Sequence, residues 1–412
     1  MINSQPIYRV LNQNIRKIFI EVSILDSKGI SLGVLKGYTL DGMVTLSSDN
    51  SYRRSGHLVM VLTSAWDVKK LFWFNTKARL RIGMKDFLTD EIFWFSLGEF
   101  AVKNMSISRE MSGNTVELQL LDNMAFLDGS LGGVTTNEIR FEAKNNIPIH
   151  EAVKTILSSV GITKTSVEPI MVNNEVKNIP YNLEFPEGTV ISEILKSLIN
   201  LYQGYEGFFD ADGIFVLRRI RDRKNDISLY KFGKDGSKLS MGNIQNFDFG
   251  KVKNSIVING YKDNYGVQVT YRCRNRYSRN DMVSLSLISD AVKGDICYVV
   301  FENKSYIYNG TTWDLLNFNV TPVFNIENIG LKPLVIEDGN VFNLEQAKTM
   351  AEFYIFTNSN LGEEVNITTV PVYGLDVNNK ITTDELGDCL VRSLNVPLNI
   401  SETMTVMATK IY

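Results

Sequence analysis

The chain has 412 residues, of which 44% are hydrophobic and 22% charged, and its formal net charge is −3. That balance belongs to a globular protein and gives no global attraction to nucleic acid or to an anionic membrane. No apolar run approaches the roughly 18 residues that span a bilayer. Three widely spaced cysteines, Cys273, Cys297 and Cys389, form no C-x-x-C pair and no disulfide framework. The opening MINSQPIYRVLNQNIRK lacks the apolar core of a secretory signal, so synthesis in the cytosol is expected.

Residues 1–140 read as strands. Ile18, Ile20, Val22 and Ile24 alternate with Phe19, Glu21 and Ser23; Leu80 and Ile82 alternate with Arg79 and Arg81; Val116, Leu118 and Leu120 alternate with Glu117 and Gln119. Period-two patterning bounded by Gly, Asn and Asp predicts half-buried antiparallel strands. The segments LFWF (71–74) and EIFWFSLGEF (91–100) are apolar on both faces. Such strands need cover on both sides, which makes Trp73 and Trp94 candidate subunit-interface residues. The region closes with LQLLDNMAFLDGSLGGV (118–134), a strand running into an Asp-x-Met-x-x-Leu-x-Gly segment with Gly132-Gly133 soon after.

Residues 141–225 mix helix and strand. Pro148 opens a predicted helix whose apolar face is Ile149, Val153, Ile156, Leu157 and Val160, with Gly161 as its stop. After the polar linker VNNEVKNIPYN comes a strand, then a second helix with Thr189 as its expected N-cap. Its face is Ile191, Ile194, Leu195, Leu198 and Tyr202, and Gly204 is its expected end. Asp210-Ala211-Asp212-Gly213 then supplies turn chemistry between GYEGFF and IFVLRR, predicting a hairpin.

Residues 226–412 return to strands. FDFGKVKNSIVINGYKDN (247–264) places Lys253-Asn254 before an alternating strand that ends in Gly260. The run YRCRNRYSR (271–279) interleaves Arg with Tyr, and Arg272, Arg274 and Arg276 are candidates for contact with a partner or with phosphates in a lumen. An exposed strand whose arginines meet acidic residues of a neighbouring subunit is the plainer expectation. Residues 283–318 read as a small inserted β-module, because Asn309-Gly310 is a strong hairpin signal. EQAKTMAEFYIFTN (345–358) predicts a helix with Ala347, Met350, Ala351, Tyr354 and Ile355 on one face. VNITTVPVYGLDVNNKI (365–381) predicts strands around a Leu-Asp-Val-Asn turn.

Little in the chain points to chemistry. His57 and His150 are the two histidines, and neither has a second ligand at zinc spacing nor a nucleophile signature nearby. Asp210-Ala-Asp-Gly lacks the later Glu of a calcium loop. The pairs Glu184/Glu187 and Asp122/Asp128 are weak candidates for glycosidase carboxylates. No phosphate-binding glycine loop is present. The chain is expected to be no enzyme and to hold no cofactor or metal.

Four of these segments occur in an order that resembles the baseplate hub (tail-tip hub, late control protein D-like) family of tailed bacteriophages: the Asp-x-Met-x-x-Leu-x-Gly segment, the helix-hairpin unit, the Lys-Asn strand, and the late helix with its Leu-Asp-Val-Asn turn. The resemblance implies a mainly β chain with two tube-like antiparallel β-barrel domains, at 1–140 and 226–412. Between them it implies an α+β helix-hairpin domain at 141–225, and the stretch around 264–330, with the inserted module at about 283–318, lies outside the family's shared core. It further implies a homotrimer forming a pseudo-sixfold ring in the virion tail baseplate, assembled in the host cytoplasm. Its partners would be a distal tail or tail tube protein, a tape-measure protein and a tip, spike or lysin protein, with DNA passing through the lumen without specific contact and no membrane insertion. The alternative is a carbohydrate-binding or carbohydrate-degrading tail protein, in which Tyr306, Tyr308 and Trp313 would form a solvent-facing sugar platform.

Overall fold

A computed structural model describes residues 5–35, 37–62, 76–110, 113–233, 240–260, 267–274, 280–399 and 401–411. The chain is mostly β. Seven strands form its first part: β1 (Ile18–Leu25), β2 (Ser31–Leu35), β3 (Gly37–Ser47), β4 (Arg54–Leu62), β5 (Lys77–Lys85), β6 (Ile92–Glu110) and β7 (Gly113–Asp122). They lie in the order β3-β4-β7-β6-β5-β1-β2. The alternation seen in the sequence sets the inward face: Val22, Ile24, Ala78, Leu80, Ile82, Val116, Leu118 and Leu120 are all buried.

This sheet does not stop at the end of the first region. Strand Gly387–Pro397 pairs antiparallel with β3, with Leu394 opposite Leu46 and Val396 opposite Val44. Strands Met404–Lys410, Gly362–Thr369 and Ser240–Asp248 continue outward from it. The result is one 13-stranded sheet, which also takes in the short strands Lys231–Phe232 and Lys380–Thr383. One core serves it, bringing Leu80, Ile82 and Phe95 together with Val365, Val391 and Val406. The first and last parts of the chain are thus joined at the β3 edge. Among the described residues the main path of the ladder ends at β2 and at Ser240–Asp248, and the short strand Lys231–Phe232 ends a side branch.

The middle region packs around its own core. Helices Ile149–Ser159 and Ile191–Ile199 bury Ile149, Val153, Ile156 and Leu157 against Ile194, Leu195 and Leu198, and Phe209, Phe215 and Leu217 of the hairpin complete the cluster. Three details differ from the sequence expectation. Val160 is exposed. Thr189 is not a cap: Val190 occupies that position without a side-chain bond, while the Thr189 hydroxyl donates to Pro186 O at 2.6 Å. The second helix ends at Ile199, and Tyr202 is buried in the turn that follows rather than on the helix. The hairpin joins Tyr205–Phe209 to Phe215–Arg219. Asp210 Oδ1 accepts from the amides of Asp212 and Ile214, both at 2.9 Å, and Gly213 takes the positive φ of +71° that a side chain disfavours.

A second, six-stranded sheet has the order 313–315, 304–308, 295–299, 267–273, 255–260, 333–338, and helix Leu344–Asn358 packs on it. The segment expected as a separable insert supplies three of these strands. Ile296, Ile307 and Leu316 share a core with Ile256, Ile258, Ala347, Met350 and Ile355. The Asn309-Gly310 hairpin forms as expected, with Asn309 N donating to Thr312 O at 3.0 Å. The Lys253-Asn254 pair acts as a staple. Buried Asn254 donates to the carbonyls of Phe324 and Gly330 and accepts from Lys332 N, holding the connection between sheet and strand 333–338. No helix among the described residues is long and apolar enough to cross a membrane.

Candidate assembly interface

The strand Ser240–Asp248 is the least protected element of the large sheet. It pairs on one side with Gly362–Thr369, whose side chains alternate between buried and half-buried, whereas Ser240–Asp248 has no buried residue. Met241 and Ile244 are about two-thirds exposed (64% and 66%), and Phe247 and Phe249 lie beyond them in a stacked pair with ring centroids 6.4 Å apart. At the opposite end of the ladder, β2 presents exposed Leu32 and Val34, with Ile30 just before it. A strand at the end of a sheet carries a row of unpaired backbone donors and acceptors, and natural edges usually bear charge or proline to block pairing. Between Ser240 and Phe247 there is neither a charged residue nor a proline.

The residues singled out in the sequence divide as follows. Trp73 lies outside the described residues. Trp94 sits on the outer face of β6, 37% exposed, crossing Gly83 of β5, with the Arg81 guanidinium 5.0 Å from its ring. Ile92, which shares the space over Gly83 with it, is exposed as well, as are Phe87 and Leu88 in the turn before β6, so among the described residues the apolar outer face at the start of β6 is left partly uncovered. Arg276 lies outside the described residues. Arg272 and Arg274 are occupied within their own subunit. Arg272 Nε donates to Asp295 Oδ1 at 3.0 Å and its Nη2 to Lys293 O at 2.6 Å, while Arg274 pairs with Glu327 and approaches Asp295 at 3.8 Å. Buried Asp295 draws both toward the sheet, so each is engaged within its own subunit. Tyr306, Tyr308 and Trp313 do not form a solvent-facing row. Tyr306 is 7% exposed, packs with Leu285, Cys297 and Val299, and donates to Glu302 at 2.6 Å. Tyr308 and Trp313 pack on each other at 5.2 Å.

The candidate chemical groups are likewise committed to structure. His57 lies 3.8 Å from Asp41 on the surface. His150 Nε2 meets Glu151 at 3.3 Å, and burial lowers its pKa. Asp122 accepts from Met124 N and Arg54 N, and burial pushes its carboxyl up to about 6. Asp128 accepts instead from Tyr52 and from Ser130 N. Glu184 stands opposite Arg140 in a short surface ladder, and Glu187 is exposed in the turn after it. Among the described residues, no group of three or more His, Cys, Asp or Glu is placed to hold a metal.

A polar junction without any signal in the sequence fixes the middle region to the large sheet. Arg53 and Arg54, both buried at the start of β4, meet the hairpin and the Leu-Asp-Val-Asn turn. The guanidinium groups of Arg53 (4.0 Å) and Arg218 (4.8 Å) both lie over the Phe208 ring, and Glu206 pairs with both. Arg54 pairs with Asp376 and donates to Phe209 O at 3.2 Å. Nearby, burial pushes the Glu99 carboxyl up but Lys77 and Arg79 outweigh it, so it lies below the usual range.

The fold is similar to that of solved tail proteins, two of them from prophages. The chain superposes over nearly its whole length on a tail protein from Neisseria meningitidis (TM-score 0.55, 9% identity, 95% of this chain and 96% of that one). It matches the 43 kDa tail protein of prophage MuSo2 from Shewanella oneidensis similarly (TM-score 0.55, 13% identity, 96% and 98%). Prophage tail protein gp18 from Listeria monocytogenes is a further match (TM-score 0.52, 9% identity, 95% and 94%). No family model matches the sequence, and no curated protein matches it. At these identities the likeness is one of fold.

Proposed function

We propose that this protein is a structural component of a phage-type tail tip, a baseplate hub that closes into a trimeric, pseudo-sixfold ring beneath the tail tube. The observation that carries the reading is the unprotected edge Ser240–Asp248, facing away from a sheet whose other end, β2, is also apolar and exposed. Two different edges of one subunit make a heterologous contact, and such contacts generate rings when the rotation closes. Three is the number that the hub resemblance implies. The ring would join a distal tail or tail tube protein above to a tip, spike or lysin protein below, with the tape-measure protein and then DNA in its lumen. Its role is scaffolding without catalysis, in a virion assembled in the host cytoplasm.

Native mass measurement tests this directly. The wild-type chain, alone or with a tail tube partner, is expected at about three chain masses. The double substitution Ile244→Lys, Phe247→Lys should leave a folded monomer. A wild-type chain that stays monomeric with and without that partner, or a trimer indifferent to the double substitution, overturns the proposed edge.

A further inference from the structure

The six-stranded sheet is split. Strand 267–273 pairs along its whole length with 255–260, but meets 295–299 across only two residue pairs, Arg272–Asp295 and Cys273–Ile296. Beyond them the sheet opens into a cleft of about 920 Å³, within the size range of ligand sites. One wall is the edge of Gln268–Arg272, and the other is Tyr308, Asn309 and the stretch Trp313–Asn317. Glu345, Lys348 and Glu352 of helix 344–358 form the floor, and Asn173 from the middle region reaches the rim.

The cleft is built, not a packing defect. At the head of the split, fully buried Asp295 holds Arg272 and accepts from Val292 N at 3.0 Å. Gly294, at φ +95°, lies so close to the Thr270 carbonyl that a Cβ would stand 2.0 Å from its oxygen, so the two strands are pinched together there. At the foot, the buried Glu352 carboxylate accepts from Asn317 N, Asn317 Nδ2 and Phe318 N, tying the far wall to the helix. Each of these ties fixes the separation of the walls.

The lining chooses a class of ligand. Its formal charges balance: Arg272, Lys293 and Lys348 against Asp314, Glu345 and Glu352. Arg272 is further neutralised by Asp295, and Glu345 by Lys177 at 2.8 Å. A polyanion or polycation would find no net field here. The amide nitrogens of Gln268, Asn309 and Asn317 already donate to Asn259, Asp314 and Glu352, which leaves the Gln268 and Asn317 side-chain oxygens, the Asn173 amide, the Thr270 hydroxyl, the Lys293 and Lys348 ammonium groups and the Tyr308–Trp313 ring pair. Acceptor oxygens interspersed with lysine donors suit hydroxyl groups, which both donate and accept, while aromatic faces supply apolar contact beside them. We propose that this cleft between strand 267–273, the Tyr308–Trp313 pair and helix 344–358 binds a neutral oligosaccharide. The site is distinct from the exposed aromatic platform expected from sequence, since Tyr306 takes no part in it.

The test is calorimetric titration of the full chain with maltotetraose, cellotetraose, chitotetraose and mannotetraose, with a heparin tetrasaccharide as the charged control. At least one neutral tetrasaccharide should bind saturably, one per chain, and Trp313→Ala should weaken it about tenfold. Lys348→Ala, at an exposed helix position where alanine keeps the helix, should also weaken it and leave the melting temperature unchanged. It therefore decides the matter if Trp313→Ala does not fold. Binding by none of the four at millimolar concentration, tighter binding of heparin, or affinity unchanged in the folded variants overturns the proposal. Native mass recorded on Lys348→Ala keeps this result separate from ring formation, which the substitution should not alter.

Discussion

In the large sheet every pairing except that of the short strand Lys231–Phe232 is antiparallel, whereas the six-stranded sheet contains two parallel ladders, 255–260 with 333–338 and 272–273 with 295–296. Antiparallel strands can leave one face or one edge to water, while parallel strands need crossover connections and cover on both faces. The large sheet accordingly ends in exposed edges. In the smaller sheet, strands 295–299, 304–308 and 313–315 come between the parallel partners 255–260 and 333–338 in the chain, and helix 344–358 packs on the sheet. Residues 283–318 are therefore part of a crossover that completes a core, and the surfaces suited to assembly lie on the other sheet.

The largest expected effect follows from that contrast. Replacing residues 283–318 by a short linker removes Ile296, Ile307 and Leu316 from a shared core. Since losing one large buried side chain costs roughly 2–5 kcal/mol, the deletion should abolish cooperative unfolding as read by calorimetry. A folded, cooperative deletion variant would restore the separable module. Next comes the junction of large sheet and middle region. Burial raises the Asp122 carboxyl from an ordinary value of 3.8 to about 6, so the folded state holds a proton that the unfolded state releases. This contribution is fully present below pH 4 and is lost as pH rises through 6, amounting to about 3 kcal/mol. Glu99, held low, works in the opposite sense and favours higher pH. Denaturant unfolding of Asp122→Asn should therefore show stability rising relative to wild type between pH 4 and 7, and a constant difference across that range would exclude the titration.

A smaller loss is expected from Arg54→Ala. It leaves Phe209 O without its donor and Asp376 without its partner, worth about 1–3 kcal/mol in a urea titration. Hydrogen exchange should then rise in the hairpin 205–219 and not in helix 344–358 if the junction is specific. Smallest of all is the effect of Ile244→Lys, Phe247→Lys on the stability of the isolated subunit. Exposed substitutions stay within about 0.5 kcal/mol, so a melting temperature close to wild type, together with lost association, would sharpen the separation between edge and core. A large drop in melting temperature would blur it.

What was legible in the sequence was local. Helices 149–159 and 344–358 and the hairpins at Asp210–Gly213 and Asn309–Gly310 were readable because 3.6-residue periodicity and turn chemistry act within a few residues. The helix at 191–199 was readable in its buried face but not in its cap, since the backbone bridge of Val134 with Val190 overrides the preference of Thr189. Arg272 and Arg274 looked available because their acceptor, Asp295, is some twenty residues further on and only strand pairing brings it near. Tyr306 looked exposed because nothing nearby in sequence announces that residues 285–291 fold over it.

A mainly β chain with a helical middle region, the inward face of each patterned strand and the lack of a recognisable catalytic signature could all be read from the residues alone. These follow from side-chain periodicity and residue chemistry, which each segment carries with it. Only the tertiary structure decided that β3 pairs with Gly387–Pro397, where Thr45 and Asn395 bond across a sequence separation of 350 residues. It also decided that the supposed insert completes a second sheet, that this sheet splits to leave a polar cleft, and that Ser240–Asp248 is left as an open edge. Strand partners are chosen by complementary faces across the whole chain. A strand's own residues state which side must be buried, but not which strand will bury it.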